Sequence, residues 1–278
     1  MFNALKNHWP EYLIEAWCLF TFMVSACFFG VLLFYSGSIF AWVPLPLRNV
    51  LMGVVMGATA IGIICSPLGK RSGAHFNPAV TLTFFRLKKV GRNDAFFYIV
   101  AQFAGGVFGV LFSWLILGKL LADGAVNFVV TVPGNYGGGV AFFAEVIISF
   151  FMMTMILFTS NSARYARLTP YFAGLMVAIY ISIENPLSGM SMNPARTFAS
   201  ADVGNIWTAL WIYFTAPTIA MLSASELFVR TRGLKAVLCA KLHHHNRTRC
   251  IFNCRFGEMQ TVEVTKRPGL VPTVTELF

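Results

Sequence analysis

Long apolar stretches separated by short polar segments dominate the pattern of this chain. Six uncharged runs cover residues 16–35, 50–69, 95–118, 146–163, 168–183 and 206–225. All but the fifth reach about 18 residues, the length at which an apolar run becomes a candidate for a membrane-spanning helix. The fifth run is slightly shorter, and Glu184 follows it, which predicts that this helix ends near an interface. The pattern therefore predicts an all-α membrane protein with six transmembrane helices.

Two polar motifs interrupt this pattern, Asn77-Pro78-Ala79 and Asn193-Pro194-Ala195. Asn is a strong helix N-cap, Pro is pre-organised for the first helical position, and Ala lets another backbone approach closely. Charge returns at Arg86, so a helix that starts at Pro78 is too short to cross a bilayer core about 30 Å thick. One copy would fit an ordinary turn or helix cap equally well. Two copies favour a pair of re-entrant half-helices.

The two motifs indicate an inverted repeat around a central site. Non-helical backbone at membrane depth is tolerated only where protein buries it or where it lines a watery cavity. Paired half-helices are typical of a site near the bilayer midplane. We divide the membrane domain, 11–230, into repeats of about 11–118 and 138–230. Each repeat has three spans, an odd number, so the second repeat must lie upside down relative to the first.

Two glutamates within the apolar pattern have two interpretations. Glu15 and Glu145 each lie at or inside the start of an apolar run, where an ionisable side chain is costly unless it is paired or hydrogen-bonded. Each could accept hydrogen bonds from the non-helical backbone before a half-helix. Each could equally lie at an interface, next to the positive end of its own helix. Gln102, in the third run, has donors and an acceptor for the same loops.

Composition and charge agree with a membrane protein. The 278 residues are 57% hydrophobic and 12% charged, with a mean hydropathy of +0.68, and a soluble domain carries roughly twice that charged fraction. Of the 21 Lys and Arg residues, only Arg48, Lys119 and Arg196 fall on one predicted side. The positive-inside rule therefore predicts that both termini, including residues 1–10, are cytoplasmic. The net charge of +10 reflects this topology and anionic lipid, not nucleic acid.

Residues 72–81 and 191–196 closely resemble the signature loops of the aquaporins, the major intrinsic protein family. The resemblance extends over roughly the first 230 residues and includes the two glutamates, Gln102 and His75, which it implies support the loops. It implies six tilted helices with two half-helices, a pore in every subunit and a homotetramer in a plasma or bacterial inner membrane. It also implies passive flow of water and small neutral solutes, with protons and ions excluded.

Counting by the family pattern places the selectivity filter at Gly57, Ile181, Met190 and Arg196. Water-selective members usually have an aromatic residue at the first position and a His at the second. Their absence predicts a wider and more apolar constriction, which carries water and a broadened range of solutes. The alternative is a facilitator of glycerol, urea, ammonia or hydrogen peroxide with little preference for water.

The segment 231–278 is polar and basic, and we expect it to be a flexible tail near anionic lipid. A metal site is the weaker alternative, because the spacing of its candidate ligands matches no standard zinc pattern. Those candidates are His243, His244, His245, Cys250 and Cys254. We predict no cofactor.

Three further classes of protein fit the sequence less well than a channel, and one of them is a membrane structural or junction protein with a closed pore. An alternating-access transporter also uses inverted repeats and broken helices, but it needs acidic residues at the midplane for ion coupling. Glu15 and Glu145 lie instead near the starts of spans. An enzyme is not expected, because no nucleophile–base pair or pair of carboxylates is present.

Overall fold

The computed structural model describes residues 1–244 and 248–257, which form helices and connecting loops without strands. Six helices are long and apolar enough to span a membrane, which confirms the predicted number of spans. The helices, in chain order, are Phe2–Phe34 (α1), Leu45–Cys65 (α2), Pro67–Ser72 (α3), Pro78–Arg86 (α4), Arg92–Leu117 (α5), Gly137–Ser160 (α6), Thr169–Ser188 (α7), Pro194–Gly204 (α8) and Leu210–Arg232 (α9). The spanning helices are α1, α2, α5, α6, α7 and α9.

The bounds of two spans differ from the sequence-based expectation. Helix α1 begins at Phe2, so residues 2–10 belong to the same helix as the first span. Helix α7 continues beyond Glu184 to Ser188, and Glu184 is only 4% exposed. Glu184 therefore lies inside the helix, about one turn before its end. Protein contacts, which a sequence run does not reveal, surround this carboxyl group.

Small residues set the closest helix contacts. A Cβ atom added to Gly105 of α5 would lie 2.1 Å from the carbonyl oxygen of Ala16 in α1. A Cβ atom added to Gly57 of α2 would lie 2.4 Å from the carbonyl oxygen of Gly174 in α7. Backbones at such distances leave no room for a side chain, so glycine at these positions allows the close packing that holds a membrane bundle together.

The two short helices enter the bundle from opposite ends. Helix α4 ends at Arg86, beside Leu87 and Lys88, and we call this side the basic end. Helix α8 ends at Gly204, on the side that holds the loop 118–136, which we call the opposite end. Each helix starts at a proline that follows a capping asparagine. The half-helices therefore meet by their N-termini inside the bundle, as the inverted repeat predicts.

The described residues from 233 to 257 form a segment packed across the basic end, which we call the C-terminal strap. The amide of Leu242 donates to Gly73 O (3.2 Å), and the amide of Asn253 donates to Lys89 O (2.9 Å). Val237, Leu242 and Phe252 are buried among residues of the core. This packing differs from the flexible tail that composition favoured, because apolar side chains are interspersed among the basic ones. His245 lies outside the described residues.

The contact between α2 and α7 leads to a matched pair of substitutions. We expect Gly57→Phe to lower thermal stability and the yield of folded protein, because the ring would collide with the backbone at Gly174. Gly62→Phe, on the same helix with no atom near its added Cβ, should leave both close to wild type. Size-exclusion chromatography and thermal unfolding in detergent measure the difference. Equal stability of the two variants would contradict the assigned packing.

Candidate functional site

The loop before α4 is held by a buried carboxylate of α1. Glu15 is fully buried, and its Oε1 accepts hydrogen bonds from Ser72 Oγ (2.7 Å) and the amide of His75 (3.0 Å). Its Oε2 accepts from the amide of Phe76 (2.7 Å) and from Gln102 Nε2 (2.8 Å). The carboxylate thus satisfies two backbone donors that have no helical partner.

Helix α6 repeats this arrangement in the second half. Glu145 Oε1 accepts from Ser188 Oγ (2.8 Å) and the amide of Ser191 (2.7 Å), and Oε2 accepts from the amide of Met192 (2.7 Å). Glu145 is also fully buried. Of the two interpretations that the sequence left open, the geometry corresponds to the first, since both glutamates contact loop backbone and each lies beyond the first turn of its helix.

These contacts orient the loop carbonyls. In a trans peptide the N–H and C=O groups point in opposite directions. The amides of Phe76, Ser191 and Met192 point at glutamates, so the carbonyls of the preceding residues point away from them. Those residues are His75, Met190 and Ser191, and all three line a cavity on the other side of the loops. The loops therefore offer hydrogen-bond acceptors to that cavity.

The two asparagines link the half-helices reciprocally. Asn77 Nδ2 donates to Met192 O (2.8 Å), and Asn193 Nδ2 donates to Phe76 O (2.7 Å). The Oδ1 atoms cap the helices by accepting from the amides of Ala79 (2.9 Å) and Ala195 (3.1 Å). Both asparagines line the cavity, and each amide has a second N–H that can face a molecule inside it. Ala79 and Ala195 are fully buried where the helices approach, behind Pro78 and Pro194.

The cavity has a volume of about 270 Å³ and is mostly apolar. Among the described residues, its lining includes no Asp or Glu and a single Arg. The polar side chains that line it are Asn49, His75, Asn77, Asn185, Ser191, Asn193 and Arg196. A cation in the cavity would therefore meet no carboxylate among these lining residues.

The structure differs from the predicted selectivity filter at one of its four positions. Ile181, Met190 and Arg196 line the cavity, but Gly57 faces Gly174 and does not. The assignment of Gly57 is therefore wrong, and its neighbour Met56 lines the cavity instead. The physical reason is the direction of the two positions on α2, because Gly57 lies on the side of that helix that packs against Gly174 of α7. One position along a helix turns a side chain by about 100°.

Arg196 has a partner that the sequence did not indicate. Its guanidinium Nη1 donates to Thr131 Oγ1, in the loop that precedes α6. Val129 and Val130 of the same loop also line the cavity. The loop 118–136 has no helical periodicity and no motif in its sequence. Its length is therefore the one sequence feature that indicates a role at the cavity.

His75 and the residues of the strap lie at the basic end of the cavity. His75 Nε2 lies 2.8 Å from Ala240 O, and its ring stacks on Phe252 at a centroid distance of 5.5 Å. Leu242 is the strap residue that lines the cavity. The strap is thus part of the wall around the basic end.

The weak metal candidates separate into two groups. His243 Nδ1 lies 3.8 Å from Cys65 Sγ, away from the other candidates. His244, Cys250 and Cys254 lie together with Cys239, which is not among the ligands predicted from the sequence. Hydrogen bonds with Cys239 and Cys250 hold the pKa of Cys254 well below its ordinary value.

The role of Glu145 leads to a second prediction. Glu145→Leu removes the acceptor of two buried amides, and each unsatisfied group costs about 1–3 kcal/mol. We expect a lower unfolding temperature and a loss of activity through the site. Glu226→Leu is the matched control, because Glu226 lies in the partly exposed pair with Arg86. Thermal unfolding that is unchanged by Glu145→Leu would contradict an anchoring role.

Comparison with known proteins is consistent with this geometry. The family model for major intrinsic proteins matches residues 6–228. Aquaporin-4 from Mus musculus is 32% identical over 235 residues, which cover 81% of this chain and 69% of that protein. Aquaporin NIP2-3 from Zea mays is 33% identical over 188 residues, which cover 67% of this chain and 60% of that protein.

The fold is also found among solved structures. The X-ray structure of the aquaglyceroporin from Plasmodium falciparum aligns with a TM-score of 0.68 and 17% identity, covering 80% of this chain and 95% of that chain. Because the family model spans most of the sequence, and the half-helices and loops form one lined cavity, the chain belongs to the major intrinsic protein family and is a passive membrane channel, not an enzyme.

Proposed function

We propose that this protein conducts water passively through the cavity between its half-helices. The observation that carries the proposal is the reciprocal pairing of Asn77 and Asn193, which places two amide groups on one cavity with Arg196 nearby. A water molecule in a narrow pore loses hydrogen bonds to bulk water and needs replacements. The asparagine N–H groups and the loop carbonyls are such replacements.

The same arrangement opposes the passage of cations and protons. The N-termini of α4 and α8 carry positive partial charge, and Arg196 adds a full charge. A cation would lose its hydration shell without meeting a carboxylate among the described lining residues. Water that accepts a hydrogen bond from both asparagines donates outward on each side, which hinders a continuous proton wire.

The range of solutes follows from the constriction. We assign the filter to Met56, Ile181, Met190 and Arg196, in which a single side chain is polar. Methionine is flexible and fills irregular space, so two methionines narrow the passage that Gly57 would have left open. We therefore infer a channel that favours water and carries small neutral solutes more slowly.

A facilitator of glycerol, urea, ammonia or hydrogen peroxide is the second candidate. The apolar cavity wall favours it, since Met52, Met152 and Met221 also line the cavity and could contact the carbon atoms of a solute. Measured selectivity between water and these solutes decides between the two.

Orientation and assembly are further parts of the proposal. The protein lies in a cell membrane with its basic end on the cytoplasmic side, because Lys and Arg are enriched in cytoplasmic loops. Both termini are then cytoplasmic. The subunits form a homotetramer with one pore in each, as the family resemblance implies. Native mass spectrometry from detergent gives the number of chains in each particle.

The function is tested by stopped-flow light scattering on proteoliposomes of the full-length protein. We expect an osmotic gradient to shrink them faster than protein-free liposomes, with a rate proportional to protein content. Gradients of glycerol, urea and ammonia measure the other solutes in the same vesicles. Water flux equal to that of empty liposomes, from correctly assembled protein, would overturn the proposal.

The filter assignment leads to a third prediction. Met56→Ala should raise glycerol and urea flux several-fold and retain water flux, because it removes a flexible side chain from the narrow region. Ile183→Ala is the matched control, since Ile183 lies two positions after Ile181 on α7 and is 67% exposed. Solute flux per folded channel measures the effect. Unchanged glycerol and urea rates in the Met56 variant would exclude Met56 from the filter.

A further inference from the structure

Four potential metal ligands converge in the C-terminal strap. They are Cys239, His244, Cys250 and Cys254, and their ligand atoms all lie within 4.8 Å of one another. Cys239 Sγ lies 3.6 Å from Cys250 Sγ, and His244 Nε2 lies 3.1 Å from Cys254 Sγ. The residues are separated in sequence by four, five and three others, so folding of the strap brings them together.

Two of the distances between ligand atoms are close to those of a coordination shell, and the Cys239 and Cys250 sulfur atoms are too far apart for a disulfide. A disulfide has an S–S length of about 2.05 Å. Around a tetrahedral zinc ion with bonds of about 2.3 Å to sulfur and 2.0 Å to nitrogen, neighbouring ligand atoms lie about 3.5–3.8 Å apart. The observed 3.6 Å between sulfur atoms falls in this range, and the 3.1 Å contact needs only a small adjustment.

The strap positions these ligands through contacts outside the cluster. The amide of Arg255, next to Cys254, donates to Leu238 O, next to Cys239 (2.8 Å). The ring of His244 stacks on Phe256 at a centroid distance of 4.2 Å. The two ends of the cluster are therefore joined by backbone and held by an aromatic contact.

A buried cation beside the cluster also needs a negative partner. Lys241 is 2% exposed, and its Nζ donates to the carbonyls of Thr248 (3.3 Å) and Arg249 (2.8 Å). Three thiolates and one neutral imidazole around a divalent ion carry a net charge of about −1, which complements Lys241.

We propose that Cys239, His244, Cys250 and Cys254 bind one zinc ion, which fastens the strap across the basic end of the channel. Three thiolates and an imidazole in tetrahedral arrangement form a structural zinc set, and soft sulfur ligands disfavour magnesium and calcium. The three thiols release their protons when the ion binds. This inference does not depend on which solute the channel carries.

Metal content of the full-length protein is the first test. The wild type is purified under reducing conditions with zinc in the medium and is then dialysed. It should retain about one zinc ion per chain, measured by inductively coupled plasma mass spectrometry. Cys250→Ala with Cys254→Ala should retain none. The matched controls are Cys65→Ser and His243→Gln, which alter a cysteine and a histidine outside the cluster and should retain the ion.

Cobalt substitution tests the ligand set without relying on variants that could misfold. Cobalt added to chelator-treated wild type should give the intense visible and near-ultraviolet bands of tetrahedral cobalt–thiolate, which one equivalent of zinc abolishes. Amide hydrogen exchange at Leu242 and Arg255 should accelerate when a chelator removes zinc, while α1 and α6 stay protected.

Three results would overturn the inference. One is intact wild type with reduced thiols that retains no zinc and gives no cobalt–thiolate bands. Another is zinc that persists in the Cys250 and Cys254 double variant. The third is a disulfide between Cys239 and Cys250 in protein isolated with thiols blocked at lysis.

Discussion

The structure depends on the burial of non-helical backbone in the middle of a membrane bundle. The loops before α4 and α8 cannot satisfy their own N–H groups, and lipid offers no acceptor. Ala74, Phe76, Met190 and Met192 have positive φ values of 32–55°, a conformation that costs L residues of order 1–3 kcal/mol each. Carboxylates that accept several hydrogen bonds offset this cost, and the same contacts turn carbonyl groups toward the cavity. The charged groups that stabilise the fold therefore also create the polar wall of the pore.

The two halves share this device but differ around it. Tyr98 and Tyr213 donate equivalent hydrogen bonds to Ser72 O and Ser188 O. Four positions after each tyrosine, the first half has Gln102, which donates to Glu15, whereas the second half has Pro217, which has no side-chain donor. The first loop meets the strap, and the second adjoins Arg196 and Thr131. An inverted repeat thus produces a channel whose two ends are chemically distinct.

The features that could be predicted from the sequence are those determined by neighbouring residues in the chain. Spans follow from hydropathy, and the half-helices follow from the capping chemistry of Asn77 and Asn193. The position of Met56, and not Gly57, on the cavity wall could not be predicted, because it depends on which side of α2 packs against α7. The contact of Arg196 with Thr131 joins segments that no motif relates. The burial of Glu184 depends on neighbouring helices. An uncharged run in the sequence does not distinguish a helix face that contacts lipid from one that contacts protein, so this burial could not be predicted.

The C-terminal strap is packed against the channel, whereas its composition predicted a flexible tail. A basic segment is normally solvated, yet this one buries Lys241 and inserts Leu242 into the cavity wall. A segment this short has too little apolar surface to fix its own conformation, and chains below about 40 residues usually need a disulfide, a metal or a partner surface. The channel is such a surface for Phe252, but Cys239, His244 and Cys254 meet within the strap itself. In a reducing cytoplasm disulfides are rare. A bound ion is then the cross-link most compatible with both the chemistry of the cluster and the location that we propose for it.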